Sequence, residues 1–152
     1  MYVIRAPGPG SLEVTFSERV TTAEGLRAIS QAFALADAGS VTSAICDLTA
    51  VERGPGHYLE LAVALATRMR PGMRIAFVAS RAQRPFVSRL ARFSGIGDGL
   101  GLFETRTNAE QWCTGESRGR QPSSREMRHY RELAQTRPQT EQPQRAPRRG
   151  AA

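Results

Sequence analysis

Hydrophobic and polar residues alternate in a short segment near the N-terminus. Every second residue of 12–16 is apolar, from Leu12 to Phe16, and polar residues lie between them. A period of two places successive side chains on opposite faces and is typical of a half-exposed β-strand. A second apolar run covers 1–5, and the Pro-Gly-Pro-Gly sequence at 7–10 has the composition of a turn. Together these segments predict an N-terminal antiparallel hairpin.

Four later segments repeat their apolar residues at steps of three and four, the spacing of an amphipathic helix. Three of them open with a capping box, in which a Ser or Thr is followed three residues later by Glu or Gln. The three boxes are Thr21 with Glu24, Ser80 with Gln83, and Thr107 with Glu110. The remaining helix is predicted from an apolar stripe alone, formed by Tyr58, Leu61, Ala62, Leu65 and Met69.

Three apolar segments lie between the predicted helices, at 43–48, 73–80 and 101–104. The first two are continuous apolar runs, typical of strands covered on both faces, and strands joined by single helices form parallel, right-handed crossovers. The predicted order of elements is ββαβαβαβα. It indicates an α/β fold with a single mixed sheet of about five strands, an antiparallel hairpin at its edge, and about four helices.

Composition changes sharply in the last quarter of the chain. Residues 1–114 contain the whole predicted fold, whereas 115–152 are rich in Arg, Pro and Gln. Such a mixture buries too little apolar surface to offset the entropy of ordering. We therefore predict one α/β domain at 1–114 and a mostly disordered tail at 115–152. One short helix is predicted within the tail, at 124–135, where Ser123 and Glu126 form a further capping box.

The charge of the chain is concentrated in this tail. Of the formal net charge of +7, the tail contributes +5, from nine Arg and four acidic residues. All 21 basic residues are Arg, which indicates a general compositional preference. The body at 1–114 has no cluster of basic and aromatic residues of the kind that binds nucleic acid. Nucleic acid is therefore a minor hypothesis, restricted to the tail.

Cysteine content and hydropathy narrow the class of protein further. Cys46 lies inside an apolar strand and Cys113 near the end of the body, too scattered for a zinc site or a disulfide framework. Both are predicted to pack as small hydrophobic residues, and we predict no metal and no cofactor. The N-terminus lacks the features of a signal peptide, and no run of about eighteen apolar residues exists. We expect a cytoplasmic protein without a membrane span.

The order of the motifs resembles that of a known bacterial family. The motifs are Cys-Asp-Leu-Thr-Ala-Val at 46–51, Arg-Ile-Ala-Phe-Val-Ala at 74–79, the helical sequence at 84–93, and a Phe-Glu-Thr strand end at 103–105 ahead of Trp112. Their order resembles the STAS domain of anti-sigma-factor antagonists, and more closely the bacterial STAS/SEC14-like family related to the sporulation antagonist. The resemblance covers the whole body of the chain.

This resemblance implies a protein-interaction or regulatory module without catalytic activity. In anti-sigma-factor antagonists, the loop after the Asp-Leu-Ser-x-Val motif leads to a serine at the start of the next helix. Phosphorylation of that serine by a partner kinase switches binding off. The corresponding loop here, 52–58, reads Glu-Arg-Gly-Pro-Gly-His-Tyr and contains neither Ser nor Thr. We therefore predict a protein partner and no phosphorylation at the family position. The SEC14-like relation implies lipid or other hydrophobic ligands for some relatives, but this short sequence does not show the extra helices that such a pocket would need.

The loop and the strand before it supply most of the candidate binding residues. They are Asp47, Thr49, Arg53, Gly54, Gly56, His57 and Tyr58. Open α/β sheets bind ligands where such loops leave the carboxyl ends of parallel strands. The N–H groups of Gly54, Gly56 and His57 could hold an anion at the helix N-terminus, helped by Arg53. The alternative is that Gly-Pro-Gly only turns the chain, with Asp47 accepting backbone hydrogen bonds from the residues after it.

Two arginines of the third predicted helix are further candidates. Arg84 and Arg89 could contact an acidic partner, and the alternative is that they only solvate an outer face. Phe86, Leu90 and Phe93 of the same helix are expected to face the sheet.

Other functions stay open at this point. A small enzyme could use Asp47, His57 or Cys46, but the sequence offers no second acid–base group to work with them. A binding domain for an anion or a lipid-like molecule is a second alternative. A homodimer could form through the exposed edge of the N-terminal hairpin.

Overall fold

The computed structural model of the chain describes residues 1–115, within which the elements follow the predicted order. The strands are β1 (Tyr2–Gly8), β2 (Ser11–Arg19), β3 (Ser43–Arg53), β4 (Arg74–Val78) and β5 (Leu100–Phe103). The helices are α1 (Thr22–Gly39), α2 (Tyr58–Arg68), α3 (Arg84–Ser94) and α4 (Arg106–Thr114). Apart from Gly115, the predicted tail with its helix at 124–135 lies outside the described residues.

The strands form one mixed sheet in the order β1-β2-β3-β4-β5. β1 and β2 are antiparallel, with Tyr2 opposite Phe16, and each later pair of neighbours is parallel. The fold class predicted from the sequence is therefore confirmed. β1 and β5 form the two edges of the sheet.

The two faces of the sheet are covered by different helices, as β4 illustrates. Ile75 and Phe77 belong to the large core between the sheet and helices α1, α2 and α3. Ala76 and Val78 belong to a smaller core under α4. All four side chains are buried, which explains why this strand is continuously apolar. None of the helices within residues 1–115 is long and apolar enough to cross a membrane.

The capping box predicted for α1 is present. Glu24 N–H donates to Thr21 Oγ1 at 3.2 Å, and Thr21 N–H donates to Glu24 Oε2 at 2.9 Å. These bonds satisfy N–H groups that the first turn of a helix leaves without intrahelical partners. The hydrogen bonds from Thr21, first that of its backbone and then that of its hydroxyl, lower the pKa of the Glu24 carboxyl.

The other two predicted boxes are wrong in detail. α4 is capped by Thr105, whose Oγ1 accepts from Asn108 N–H at 3.3 Å, so Thr107 lies inside the helix. α3 begins after Gln83 without a side-chain cap. Only half of the expected box forms there, with Ser80 N–H donating to Gln83 Oε1 at 2.9 Å. The pattern identified each helix but not which of several neighbouring polar residues caps it.

β3 extends beyond its predicted end, to Arg53, and leaves only a short loop at 54–57 before α2. Its last residues pair with β2 alone, because β4 is shorter. β2 follows this extension through two register shifts and a left-handed backbone at Glu18, where φ is 60°. The polar residues near the end of β3 gave no alternating pattern from which its length could be predicted.

Candidate functional site

The predicted binding residues lie where β3 continues beyond the end of β4. In this extension, the carbonyl of Val51 accepts a hydrogen bond from the side-chain amide of Gln83, in the turn before α3. The Oε1 atom of the same amide accepts from Ser80 N–H, as described above. Beyond the end of β4, the Gln83 side chain therefore donates to β3 a hydrogen bond of the kind that a neighbouring strand would donate. The arrangement lies at the carboxyl ends of parallel strands, where open α/β sheets bind ligands.

Asp47 and Thr49 are bound to each other. Asp47 Oδ1 accepts from Thr49 N–H at 2.9 Å and from Thr49 Oγ1 at 2.6 Å, which closes a local turn. Burial, followed by the negative charge of Asp47, raises the pKa of the Cys46 thiol. A thiol kept protonated is a poor nucleophile. The polar groups at this strand end therefore hold the backbone and do not activate a nucleophile.

The loop at 54–57 is anchored to α1 at one end and open at its centre. His57 N–H donates to Thr22 Oγ1 at 3.4 Å, so one of the three N–H groups considered for an anion already has a partner. His57 is also the N-cap of α2, without a side-chain capping bond. A Cβ added at Gly56 would have no atom within 4 Å, whereas one at Gly54 would meet the Phe86 ring.

The outer sides of α2 and α3 carry an exposed apolar surface. Tyr58 and Phe93 pack ring against ring with centroids 5.4 Å apart, and the guanidinium of Arg89 lies 6.0 Å from the Tyr58 ring centroid. Leu59 and Val63, one turn apart on α2, are 54% and 53% exposed. We call these five residues the α2–α3 face. Phe93, predicted to face the sheet, is 49% exposed, because it lies at the outer edge of the α3 stripe and packs on Tyr58.

The two candidate arginines of α3 have different surroundings. Arg84 forms an ion pair with Glu104, directly after β5, whereas Arg89 contacts Tyr58. Arg53 is exposed at the end of β3, and its carbonyl accepts from Val20 N–H at 3.0 Å. The structure thus brings Tyr58 and Arg89 together and directs Arg84 towards β5.

A cavity of about 310 Å³ lies between the sheet and helices α1, α2 and α3. Its walls are almost entirely apolar and include the buried residues Phe16, Phe33 and Leu61. At one end it reaches exposed residues of the β3 end and of the turn before α3, among them Glu52 and Ser80. Its volume and lining are those of a small-molecule site.

The sequence contains a signal for this cavity that the hydrophobic pattern did not reveal. The inner side of α1 carries small residues at Gly25, Ala28 and Ala32, and all three line the cavity. A Cβ added at Gly25 would lie 2.8 Å from a methyl group of Leu61, so α1 approaches α2 closely at this point. Among the predicted site residues, Thr49 and Gly54 line the cavity.

Comparison with known proteins gives a fold but no family. No protein-family model and no curated protein matches the chain. The structure of an anti-sigma factor antagonist from Mycobacterium paratuberculosis matches with a TM-score of 0.54 at 21% identity, over 75% of this chain and 93% of that chain. The anti-sigma factor antagonist SpoIIAA in its unphosphorylated form matches with a TM-score of 0.57 at 13% identity, over 76% and 97%. The chain has a STAS-like fold.

A further structure with this fold is an uncharacterised protein from Shewanella loihica, which matches with a TM-score of 0.52 at 16% identity over 74% of this chain and 92% of that chain. At such identities the likeness concerns the fold alone. Within the STAS-like fold of this chain, α2 begins at Tyr58 with His57 as its N-cap. The sequence from Glu52 to that helix start contains no Ser or Thr.

Proposed function

We propose that this chain is a non-catalytic regulatory module that binds a protein partner through the α2–α3 face and the adjoining loop at 54–57. The observation that carries the proposal is the association of Tyr58, Phe93 and Arg89 on an exposed surface. Aromatic residues and Arg are enriched at the centres of protein interfaces, where they contribute most of the binding energy. The fold shared with two anti-sigma factor antagonists supports the same class of function.

The composition of the α2–α3 face defines the chemistry of the partner. Leu59 and Val63 offer an apolar surface, and Arg89 and Arg92 lie beside it on α3, with Arg92 6.0 Å from the Phe93 ring centroid. A complementary partner therefore presents an apolar centre flanked by carboxylates. The charge pairs at the rim would mainly set the association rate and its dependence on salt.

The loop at 54–57 contains neither Ser nor Thr, so a switch that phosphorylates a Ser or Thr of this loop has no residue to act on. A partner of this chain would need to be released by another event, such as competition for the same face. The predicted candidates for an enzyme also lack a common arrangement, since Asp47 is bound to Thr49 and the Cys46 thiol is held protonated. The hydrogen-bonded state of Asp47 and the protonated state of Cys46 both favour a binding module over a small enzyme.

The test compares captured proteins for three forms of the full chain. The first is the wild type, the second carries Phe93→Ala with Arg89→Glu, and the third carries the matched changes Leu35→Ala with Arg27→Glu on the exposed side of α1. We expect to find a protein that the wild type and the α1 variant both capture. Its binding to the face variant should be at least about tenfold weaker. Identical capture by all three forms would contradict the proposal.

Three expectations from the sequence stay predictions. A homodimer would use the open edge at β1, where Val3 is exposed, and light scattering of the full chain would detect it. Nucleic-acid binding through the tail at 115–152 would show a steep dependence on salt that is lost on deletion of the tail. The cytoplasmic location is the third.

A further inference from the structure

We propose that the outer edge of β1 binds an extended, acidic segment of a partner protein, which pairs with this edge as an additional strand beside α1. The segment carries apolar side chains on its α1 side and carboxylates on the opposite side. The inference is independent of the α2–α3 face, since the two surfaces share no residue and lie on different elements. The β1 edge is also where a homodimer would form, and the charge of the edge decides between the two occupants.

Backbone groups of β1 point alternately towards β2 and towards the open edge. Ser17 N–H donates to the Met1 carbonyl at 3.0 Å, and the Met1 ammonium donates to the Ser17 carbonyl at 3.3 Å. In an antiparallel pair, residues bonded in this way alternate with residues whose N–H and C=O turn away. Tyr2, Ile4 and Ala6 are the residues that turn away, and within 1–115 no strand pairs with that side of β1. An extended segment placed there would find both donors and acceptors.

The first part of this edge lacks most of the features that usually prevent strand addition. Edge strands are commonly blocked by a proline, a bulge or charged side chains. In β1 the proline is at position 7, and the irregularity in pairing falls between Arg5 and Gly8. Residues 2–6 therefore stay available, over a length of roughly 17 Å. The one charge in this stretch is that of Arg5.

Helix α1 provides the apolar side of the site. Tyr2 Oη donates to Gln31 Oε1 at 2.9 Å, so the Gln31 side of α1 lies over β1. Leu35 is one turn further along the same side of the helix, and Ile4 follows Tyr2 on the same face of the strand. Leu35 is nevertheless 49% exposed, since β1 is the last strand of the described sheet on this side. An added strand would bury Leu35 and the outer side of Ile4.

Arg5 determines the charge of the segment. It lies opposite Glu13, but both oxygens of that carboxylate are bound by Arg106. Among the residues that the structure describes, Arg5 forms no ion pair. A carboxylate at the neighbouring position of an added strand would pair with Arg5, whereas a lysine there would be repelled.

A second copy of the chain fits the same edge less well. Two β1 strands paired about Ile4 would place Val3 of each copy opposite Arg5 of the other. The two arginines would then be diagonal neighbours on one face, roughly 7–8 Å apart, with like charges. Charge complementarity therefore favours an acidic segment of another protein.

The first experiment titrates three blocked peptides into the full chain and follows backbone amide shifts and hydrogen exchange. The peptides are Glu-Val-Glu-Val-Glu-Val-Glu, its counterpart with lysine at every glutamate, and the glutamate peptide with proline in place of the central valine. The proline peptide keeps the negative charge and so controls for attraction to the arginine-rich tail.

The outward N–H groups report on pairing at the edge. We expect the glutamate peptide to slow hydrogen exchange at Ile4 and Ala6, and the other two peptides to bind at least about fivefold more weakly. Absence of this protection at millimolar glutamate peptide, or equal affinity for the three peptides, would overturn the proposal.

Two substitutions at one position test the backbone contact. Ala6 has no partner on β2, so Ala6→Pro removes an N–H that the sheet does not use, whereas Ala6→Val keeps it. We expect Ala6→Pro to weaken binding of the glutamate peptide about tenfold and Ala6→Val to leave it unchanged. Equal affinity of the two folded variants would place the peptide elsewhere and refute the inference.

The side chains beside the edge have their own matched controls. Arg5→Gln should reduce the preference for glutamate over lysine to less than about twofold, whereas Arg27→Gln, on the exposed side of α1, should leave it intact. Leu35→Ala should weaken the glutamate peptide about fivefold, and Val63→Ala, similarly exposed on the α2–α3 face, should not. A preference that persists in Arg5→Gln would contradict the assignment of an acidic segment.

Light scattering decides between the segment and a second copy. We expect the full chain with saturating glutamate peptide to have the mass of a single copy. A dimer that persists with the peptide and is lost in Ala6→Pro would assign the β1 edge to a second copy and overturn the proposal.

Discussion

Arg106 of α4 holds both carboxylate oxygens of Glu13 in β2, with Nη1 2.5 Å from Oε1 and Nη2 2.9 Å from Oε2. Glu13 is 7% exposed, and the pair joins residues 93 positions apart in the sequence. Hydrogen bonds to Glu13 and then to Glu110 raise the pKa of Arg106 further above its already high ordinary value. This pair fastens α4 to the sheet.

Removal of Arg106 should cost more stability than removal of the charge on Glu13. Arg106→Ala leaves a buried carboxylate without its cation, and we expect the free energy of unfolding to fall by about 2 kcal/mol, less than for a fully buried pair because Arg106 is half exposed. Glu13→Gln combined with Arg106→Ala should recover part of this loss. Denaturant unfolding of both single variants and the double variant measures the coupling. A double variant as unstable as the sum of the single changes would contradict the pairing.

The Thr21–Glu24 capping box makes stability depend on pH. The pKa of Glu24 is lowered from its ordinary value of 4.5, so its stabilising effect is complete above that value and is lost as the pH falls through the lower, folded-state pKa. Glu24→Gln removes this titration. We therefore expect the variant to lose less stability than the wild type between about pH 5 and pH 3. Thermal unfolding across that range checks the prediction, and parallel curves for the two proteins would contradict it.

The two thiols should react slowly and with a characteristic pH dependence. Burial, the largest influence, raises the pKa of Cys113 to about 11, and that of Cys46 still further. Below these values the thiolate fraction rises about tenfold for each pH unit. We expect alkylation rates to follow this slope between about pH 7 and pH 9, with Cys113 reacting first. Cys113→Ser should remove the faster phase, and a plateau in rate within that range would disprove the assignment.

Gly101 is required where β5 passes under α4. A Cβ at this position would lie 2.5 Å and 2.8 Å from atoms of the Phe103 ring and 3.3 Å from Trp112. Gly101→Ala should therefore displace the Phe103 and Trp112 rings and lower the free energy of unfolding by about 1–2 kcal/mol. Gly56→Ala is the matched control, since a Cβ there has open space. Tryptophan fluorescence and denaturant unfolding report both effects, and equal stability of the two variants would contradict the prediction.

The sequence predicted the order of elements because each depends on local periodicity. The alternation from Leu12 to Phe16 and the continuous apolar run of β4 each follow from which faces of the strand are buried. The extension of β3 to Arg53 was missed because its last residues are stabilised by pairing with β2, not by burial of both faces. Phe93 was misplaced because its neighbour, Tyr58, comes from another helix.

The sequence predicts where the loop before Tyr58 lies in the fold, but it does not predict the cavity beside that loop. Parallel strands end at one edge of a sheet, and the loop before Tyr58 leaves the end of β3 at that edge. The cavity depends on the combined volumes of side chains from three helices and the sheet, which no single segment contains. Gly25, Ala28 and Ala32 become informative only once α1 is placed over the sheet.

The Gln83 side chain provides a hydrogen-bonded link between the end of β3 and the turn before α3, at the mouth of the cavity. Elsewhere in the sheet, separating two strands requires a whole ladder of backbone hydrogen bonds to break. Between the end of β3 and the turn before α3, the junction consists of one amide that bonds Val51 on one side and Ser80 on the other. A rotation of that single side chain would break both hydrogen bonds, so one torsion of Gln83 controls the side-chain hydrogen bond between the β3 end and this turn.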